Sequence, residues 1–185
     1  MTLGNSKFIF RSVARFALLF VCFAFQTAEA QEPRLEPYAV PDQFDEIHTE
    51  AEVQGSVAVF MGSDRKSFSF SPEWTQALGA RLVDEPGVDH VKIVYFANMK
   101  GVPSFLRNKI KKKFPQDRSA WMLLDWKGVF SKTYGFTKGA LNVLIVDQKG
   151  VLVYRAAVRG VESAQLDEMV AAIRAALPEK PPTGS

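Results

Sequence analysis

Cysteine is nearly missing from this chain. Its 185 residues hold one, Cys22, and that one lies inside an apolar stretch close to the N-terminus. Residues 1–30 read as a secretory signal. Lys7, Arg11 and Arg15 supply a basic leader, 16–25 is an apolar core, and Ala28-Glu29-Ala30 has the small-x-small form of a cleavage site. Cleavage after Ala30 leaves a chain with no cysteine, which can form no disulfide and perform no thiol chemistry. Cys22 follows Phe20-Val21, where a lipoprotein signal wants small residues, so it reads as signal filler. The apolar core also falls short of the roughly 20 residues a transmembrane helix needs. The expected location is therefore periplasmic or secreted, without stable membrane insertion; an uncleaved signal retained as an anchor is the competing reading.

An excess of one charge is missing too. The full chain carries 23 Lys and Arg against 20 Asp and Glu, and removing the signal leaves 20 against 19. The apparent basicity belongs largely to the signal, so nucleic acid is not an expected partner. Histidine is scarce: His48 and His90 stand in unrelated segments. They give neither a metal-ligand spacing nor a triad with a serine such as Ser67, and read as surface or structural residues. No metal, no cofactor and no catalytic group is assigned.

What is present is an alternation of elements suited to one domain with one sizeable core. Segment 31–54 is a Pro- and acid-rich lead-in, with Pro41-Asp42-Gln43-Phe44 as the point where the chain first packs on the core. The domain proper is expected over 55–178. Residues 56–61 (SVAVFM) read as a buried strand and 62–71 as a loop. Ser71-Pro72-Glu73 offers an N-cap, a proline and an acid for a helix to Leu82. A second strand is expected over 91–97, a helix over 103–114 with Leu106, Ile110 and Phe114 on its apolar face, a short strand over 120–124, and a helix over 126–134 closed by Gly135.

The most informative stretch is 140–160, ALNVLIVDQKGVLVYRAAVRG. Residues 143–146 form an aliphatic run expected of a strand covered on both faces. Asp147-Gln148-Lys149-Gly150 is turn chemistry, the glycine supplying positive φ. Residues 151–157 resume an extended pattern, with Val151, Val153 and the stem of Arg155 sharing a face. Ser163 is the expected N-cap of a last helix whose apolar stripe is Leu166, Met169, Val170, Ile173 and Leu177. Pro178 stops it, and 179–185 should be a disordered tail. The order implies an α/β fold, a mixed central sheet with helices on both faces.

Residues 41–177 resemble the thioredoxin-like superfamily, in the redoxin branch found in bacterial envelopes. The resemblance rests on Tyr134-Gly135-Phe136, preceded by an aspartate-ended strand and short helix, and on the Val146-Asp147-Gln148-Lys149-Gly150 strand end that follows. It implies a thioredoxin-like three-layer sandwich. It also implies where an active site would be: the redox members place a Cys-x-x-Cys after the first core strand, where a helix N-terminus stabilises the thiolate. Here that place reads Gly62-Ser63-Asp64-Arg65-Lys66-Ser67-Phe68, without cysteine. The position of the family's cis-proline falls on Leu141 or Asn142, for which a trans bond is the expectation. Both halves of the family site are missing together, which implies a redox-inactive relative.

Candidate site residues follow from that loop. Ser63, Asp64, Arg65, Lys66 and Ser67, with Leu141 and Asn142 opposite, are either a hydrated surface loop or a polar ligand or peptide site. Phe68 and Phe70 either fold inward or form an exposed aromatic patch for an extended peptide. Trp74, Trp121, Trp126, Phe60, Phe96 and Phe105 join them in an aromatic-rich core. Lys109, Lys111, Lys112 and Lys113 are either the solvated face of a helix or a basic patch for an acidic partner, anionic lipid or envelope polymer. Asp125 and Asp147 end strands, as caps or as acid/base groups. The expected function is an exported binding or accessory module whose partner is an envelope protein or peptide. The alternative is a redoxin-related oxidoreductase or another enzyme using a non-thiol site in the loop.

Overall fold

The computed structural model describes residues 32–178, so the signal at 1–30 and the tail at 179–185 lie outside the described residues. In chain order the strands are β1 (Ala39–Pro41), β2 (Ile47–Thr49), β3 (Val57–Ser63), β4 (Val91–Asn98), β5 (Leu123–Asp125), β6 (Leu141–Val146) and β7 (Leu152–Val158). The helices are α1 (Phe70–Leu82), α2 (Arg107–Lys111), α3 (Val129–Thr133) and α4 (Ser163–Ala176). Five strands make one mixed sheet in the order β5-β4-β3-β6-β7, and β1 and β2 form a separate hairpin. β3 runs parallel to β4 and antiparallel to β6, so the two most apolar segments of the sequence lie side by side at the centre.

Alternation along these strands builds two different cores. Val57, Val59 and Met61 of β3 and Leu141, Val143 and Ile145 of β6 face one side, where Trp74, Leu78 and Leu82 of α1 meet Leu166, Met169, Val170 and Ile173 of α4. Each such aliphatic side chain, fully buried, contributes about 1.5–3 kcal/mol. Phe60, Leu144 and Val146 face the other side, which is aromatic. There Phe96 and Phe130 stack at 3.9 Å, and Tyr38 stands edge-on to Phe60, Phe96 and Phe130. Helices thus cover both faces, α1 and α4 on one and short α3 on the other.

The N-terminal segment engages earlier than Pro41. Leu152 N–H donates to the Pro33 carbonyl and Leu35 N–H to that of Gly150, both at 2.8 Å, before Tyr38 enters the aromatic core. The hairpin then inserts Gln43 as a surrogate strand. Its Oε1 accepts from Met122 N–H at 2.8 Å, and its Nε2 donates to the Pro115 and Ala120 carbonyls. Residues 120–122 therefore bond to a side chain, and β5 begins at Leu123 rather than at 120.

Other boundaries move for equally local reasons. The helix expected over 103–114 is a 3-10 turn, Ser104–Leu106, followed by the five residues of α2. Leu106, Ile110 and Phe114 are only half-buried, too little burial to offset the cost of nucleating a longer helix. α3 starts three residues after Trp126 because Asp125 reaches forward, its carboxylate accepting from Val129 N–H and from Ser131 N–H and Oγ–H, with Gly128 at φ 68° between. Ser71 does not cap α1. The helix starts at Phe70, Ser71 is buried, and its carbonyl accepts from Thr75 Oγ1. Glu162, not Ser163, occupies the N-cap position of α4. In β7 the face shared by Val153 and Arg155 looks outward, while Leu152, Tyr154 and Ala156 pack inward. Gly150 has the expected positive φ, 81°, and the Asp147 carboxylate accepts from Lys149 and Val151 N–H, a turn-holding role.

Candidate functional site

The loop between β3 and α1 is folded around one carboxylate. Asp64 Oδ1 accepts from Lys66 N–H (2.8 Å), Ser67 N–H (3.1 Å) and Ser67 Oγ–H (3.1 Å), and Asp64 N–H donates back to Ser67 Oγ at 3.0 Å. The other oxygen, Oδ2, accepts from Gly139 N–H at 2.9 Å. Residues 137–140 precede β6, so this bond joins the two segments that the resemblance pairs as an active site. Burial raises the Asp64 carboxyl pKa, but the bonds from Gly139, Lys66 and Ser67 outweigh it and hold the group below its ordinary value. It is an ionised clasp at neutral pH.

Asn142 is the second clasp. Its Oδ1 accepts from Thr137 N–H at 2.6 Å, and its Nδ2 donates to the carbonyls of Ala140, Thr137 and Gly62. A side chain near the family's cis-proline position thus shapes the turn through hydrogen bonds. Phe136 packs directly against Gly62: a Cβ there would lie 1.9 Å from the ring. The Tyr134-Gly135-Phe136 motif acquires a physical role from this contact, with Tyr134 Oη accepting from Glu36 N–H at 2.7 Å. The burial of Tyr134 raises its phenol pKa, and so does that of Tyr38 beside it.

The candidate residues therefore separate into two groups. Ser63, Ser67, Leu141 and Asn142 are buried, and Asp64 spends both oxygens internally. Arg65 and Lys66 are exposed, and Phe68 is 40% exposed. Phe70 does not share that surface, because it packs against the aliphatic core. Phe105, expected in the core, is 80% exposed. Ser67 is buried, and its Oγ is held within the turn by the Asp64 carboxylate and backbone N–H.

One juxtaposition has no counterpart in the sequence pattern. Phe68 meets Phe114, the residue after the lysine run, edge-to-face at 5.8 Å. The loop and the basic segment are thus neighbours. Within that segment, Lys111 is tied to Asp45 of the hairpin, whereas Lys109, Lys112 and Lys113 are exposed and unpaired among the described residues.

Away from the loop, His48 is buried and structural. It stacks on Trp121 at 4.1 Å between Glu52, 2.8 Å from Nδ1, and Asp42, 3.2 Å from Nε2. Burial lowers its pKa, but the bonds to the two carboxylates outweigh that and raise it. Asp42, Glu46 and His48 lie close enough to resemble a metal-ligand set. However, Asp42 Oδ1 holds the N–H groups of Phe44 and Glu46, and Glu46 pairs with Arg118, so the group reads as a hydrogen-bonded hinge of the hairpin.

No family model matches the chain, and no characterised protein matches it by sequence. Solved structures do match it by shape. A protein described as the thiol:disulfide interchange protein DsbE from Chlorobium tepidum superposes with a TM-score of 0.55 at 18% identity, over 80% of this chain and 97% of that one. The fold is thioredoxin-like. The exposed lipoprotein thioredoxin Etrx1 of Streptococcus pneumoniae (TM-score 0.53, 14% identity, 76% of this chain and 99% of that one) repeats the match. So does a SCO1/SenC family lipoprotein from Bacillus anthracis (0.51, 16%, 79% and 96%). Against that fold, the absence of a catalytic cysteine pair is a property of the sequence, whose one cysteine is Cys22. Among the described residues, no helix is long and apolar enough to cross a membrane.

Proposed function

We propose that this protein is an exported thioredoxin-fold module of the cell envelope that binds a partner and carries no thiol redox activity of its own. Export rests on the signal-like residues 1–30 and accords with neighbours named as lipoproteins. The observation that carries the binding reading is the Asp64 clasp. Thiol–disulfide exchange needs a thiolate to attack sulfur, and the place suited to one holds a carboxylate saturated with backbone bonds. Such a loop is tied down by internal hydrogen bonds and has no thiol, yet it leaves Arg65, Lys66 and Phe68 on the surface.

The test has two arms. Insulin reduction by the purified protein should stay at the buffer rate; turnover above it would overturn the redox-inactive reading. Immobilised protein should capture a partner from envelope extract, and capture should fall in the Arg65→Ala/Lys66→Ala double variant or in Phe68→Ser at an unchanged melting temperature. Capture indifferent to both variants would remove the loop as the binding face. Phe70 is left intact here because its ring belongs to the core.

A further inference from the structure

The contact between Phe68 and Phe114 joins two features that the sequence keeps 46 residues apart. In the chain segments that carry and adjoin this ring pair, positive charge is in excess. Arg65 and Lys66 precede Phe68, and Lys113 precedes Phe114. Lys138 precedes Gly139, whose N–H is bonded to Asp64 and whose Cα region lies against the Lys66 stem. All four cations are exposed, and none makes an ion pair among the described residues. The acid in their midst, Asp64, is ionised and held by four internal hydrogen bonds, so one negative charge stands against four positive ones. Elsewhere the molecule pairs its charges across elements, as in Arg81–Asp167, Arg174–Glu85 and Lys111–Asp45. An exposed ring beside an excess of unpaired cations is the complement of an apolar side chain flanked by carboxylates.

We propose that Phe68 and Phe114, with the exposed cations Arg65, Lys66, Lys113 and Lys138 of the same segments, form one docking surface for an acidic, extended segment of a partner protein that lays an apolar side chain on the ring pair. This rests on the loop being a binding face, and adds the chemistry of what binds. The rings meet edge-to-face and do not form the parallel platform that stacked bases use. Cations flank both rings along the chain, Arg65 and Lys66 before Phe68 and Lys113 before Phe114, so they favour a segment that carries carboxylates beside its apolar anchor.

The probe is a fluorescein-labelled peptide alternating Glu with Phe, titrated against the purified protein by anisotropy, with Lys–Phe and Glu–Ser peptides and phosphatidylglycerol vesicles as competitors. The Glu–Phe peptide should bind, and raising salt should weaken it. Lys113→Glu and Phe68→Ser should each weaken it about tenfold, as loss of a desolvated anchor or charge does, with melting unchanged. Neither competing peptide should displace it. Displacement by Glu–Ser peptide or by the vesicles would overturn the proposal in favour of a general anion patch. If Lys113→Glu is neutral while Arg65→Ala/Lys66→Ala still abolishes capture from extract, the composite surface is wrong and the binding role stands. If neither variant affects peptide or extract capture, both fall.

Discussion

The two faces of the sheet are built on different terms. One is covered by α1 and α4, whose buried residues recur at helical spacing and meet an aliphatic strand surface. The other is covered by an N-terminal segment, a hairpin and the five residues of α3, and its core is a set of interlocked rings. The first face needs only periodicity to form. The second needs Tyr38, Phe60, Phe96 and Phe130 to converge from four separate parts of the chain. The candidate binding loop springs from the end of β3, the strand that both faces share, and Phe136 of the aromatic side holds it at Gly62.

The largest effects should come where the faces share a strand. Ile145 is fully buried beside Val59 in the central antiparallel pair. Ile145→Asp places an unpaired charge there and should cost more than about 4 kcal/mol, enough to unfold most of the protein. A thermal melt within a degree or two of the parent would disprove this core assignment. Phe130→Ala tests the aromatic face alone. It removes the ring at the centre of the cluster and should cost about 3–5 kcal/mol by urea denaturation. If it costs under about 1 kcal/mol, the N-terminal cover is dispensable and the comparison fails.

This contrast also explains what the sequence made legible. The strands expected at 56–61 and 143–146 and helix α4 announce themselves by aliphatic runs and 3.6-residue spacing, although β3 runs on to Ser63 and β6 begins at Leu141. The short helices did not, because their limits are set by side chains acting from elsewhere: Asp125 reaching over Gly128, Gln43 standing in for a strand. Among the candidate residues, Arg65, Lys66 and Phe68 were chosen from the position of the missing Cys-x-x-Cys, and all three are exposed. The internal use of Asp64 and Asn142 was not, since an acid or amide in a loop reads equally as ligand or clasp. Phe114 carried no signal at all, its contact with Phe68 being purely tertiary.

Gly62→Ala should have an intermediate effect. Its added methyl must displace the Phe136 ring, and overpacking of this kind costs about 1–3 kcal/mol. Phe136→Ala should relieve that penalty in the double variant, a non-additivity measurable by paired denaturation curves. Additive losses would mean that the ring does not police this glycine. Asp64→Ala should cost about 0.5–2 kcal/mol, in the manner of a lost cap. Because its folded pKa is depressed, the ionised contribution is present above the unfolded carboxyl value of about 3.9 and is lost as pH falls through the folded value. The variant should therefore melt with a shallower acid dependence than the parent, and parallel curves would argue against the clasp.

The smallest effect should be that of His48, and its sign runs the other way. Its folded pKa is raised above the unfolded value of about 6.5, because the bonds to Glu52 and Asp42 outweigh burial. A group shifted upward binds its proton more tightly in the native state. Its contribution is complete below pH 6.5 and is lost as pH rises through the folded value, when the imidazole keeps only one N–H for two carboxylates. Glu52 is 42% exposed at its side chain, so solvent screens its half of the interaction and the change should be a few degrees at most. Thermal melts from mildly acidic to mildly alkaline pH should show the parent losing stability over that window, with His48→Gln nearly flat. The loss should be accompanied by weaker quenching of Trp121, on whose ring His48 stacks. A parent that gains stability across the same window would mean that His48 is held neutral, and that the aromatic face closes on hydrogen bonds alone.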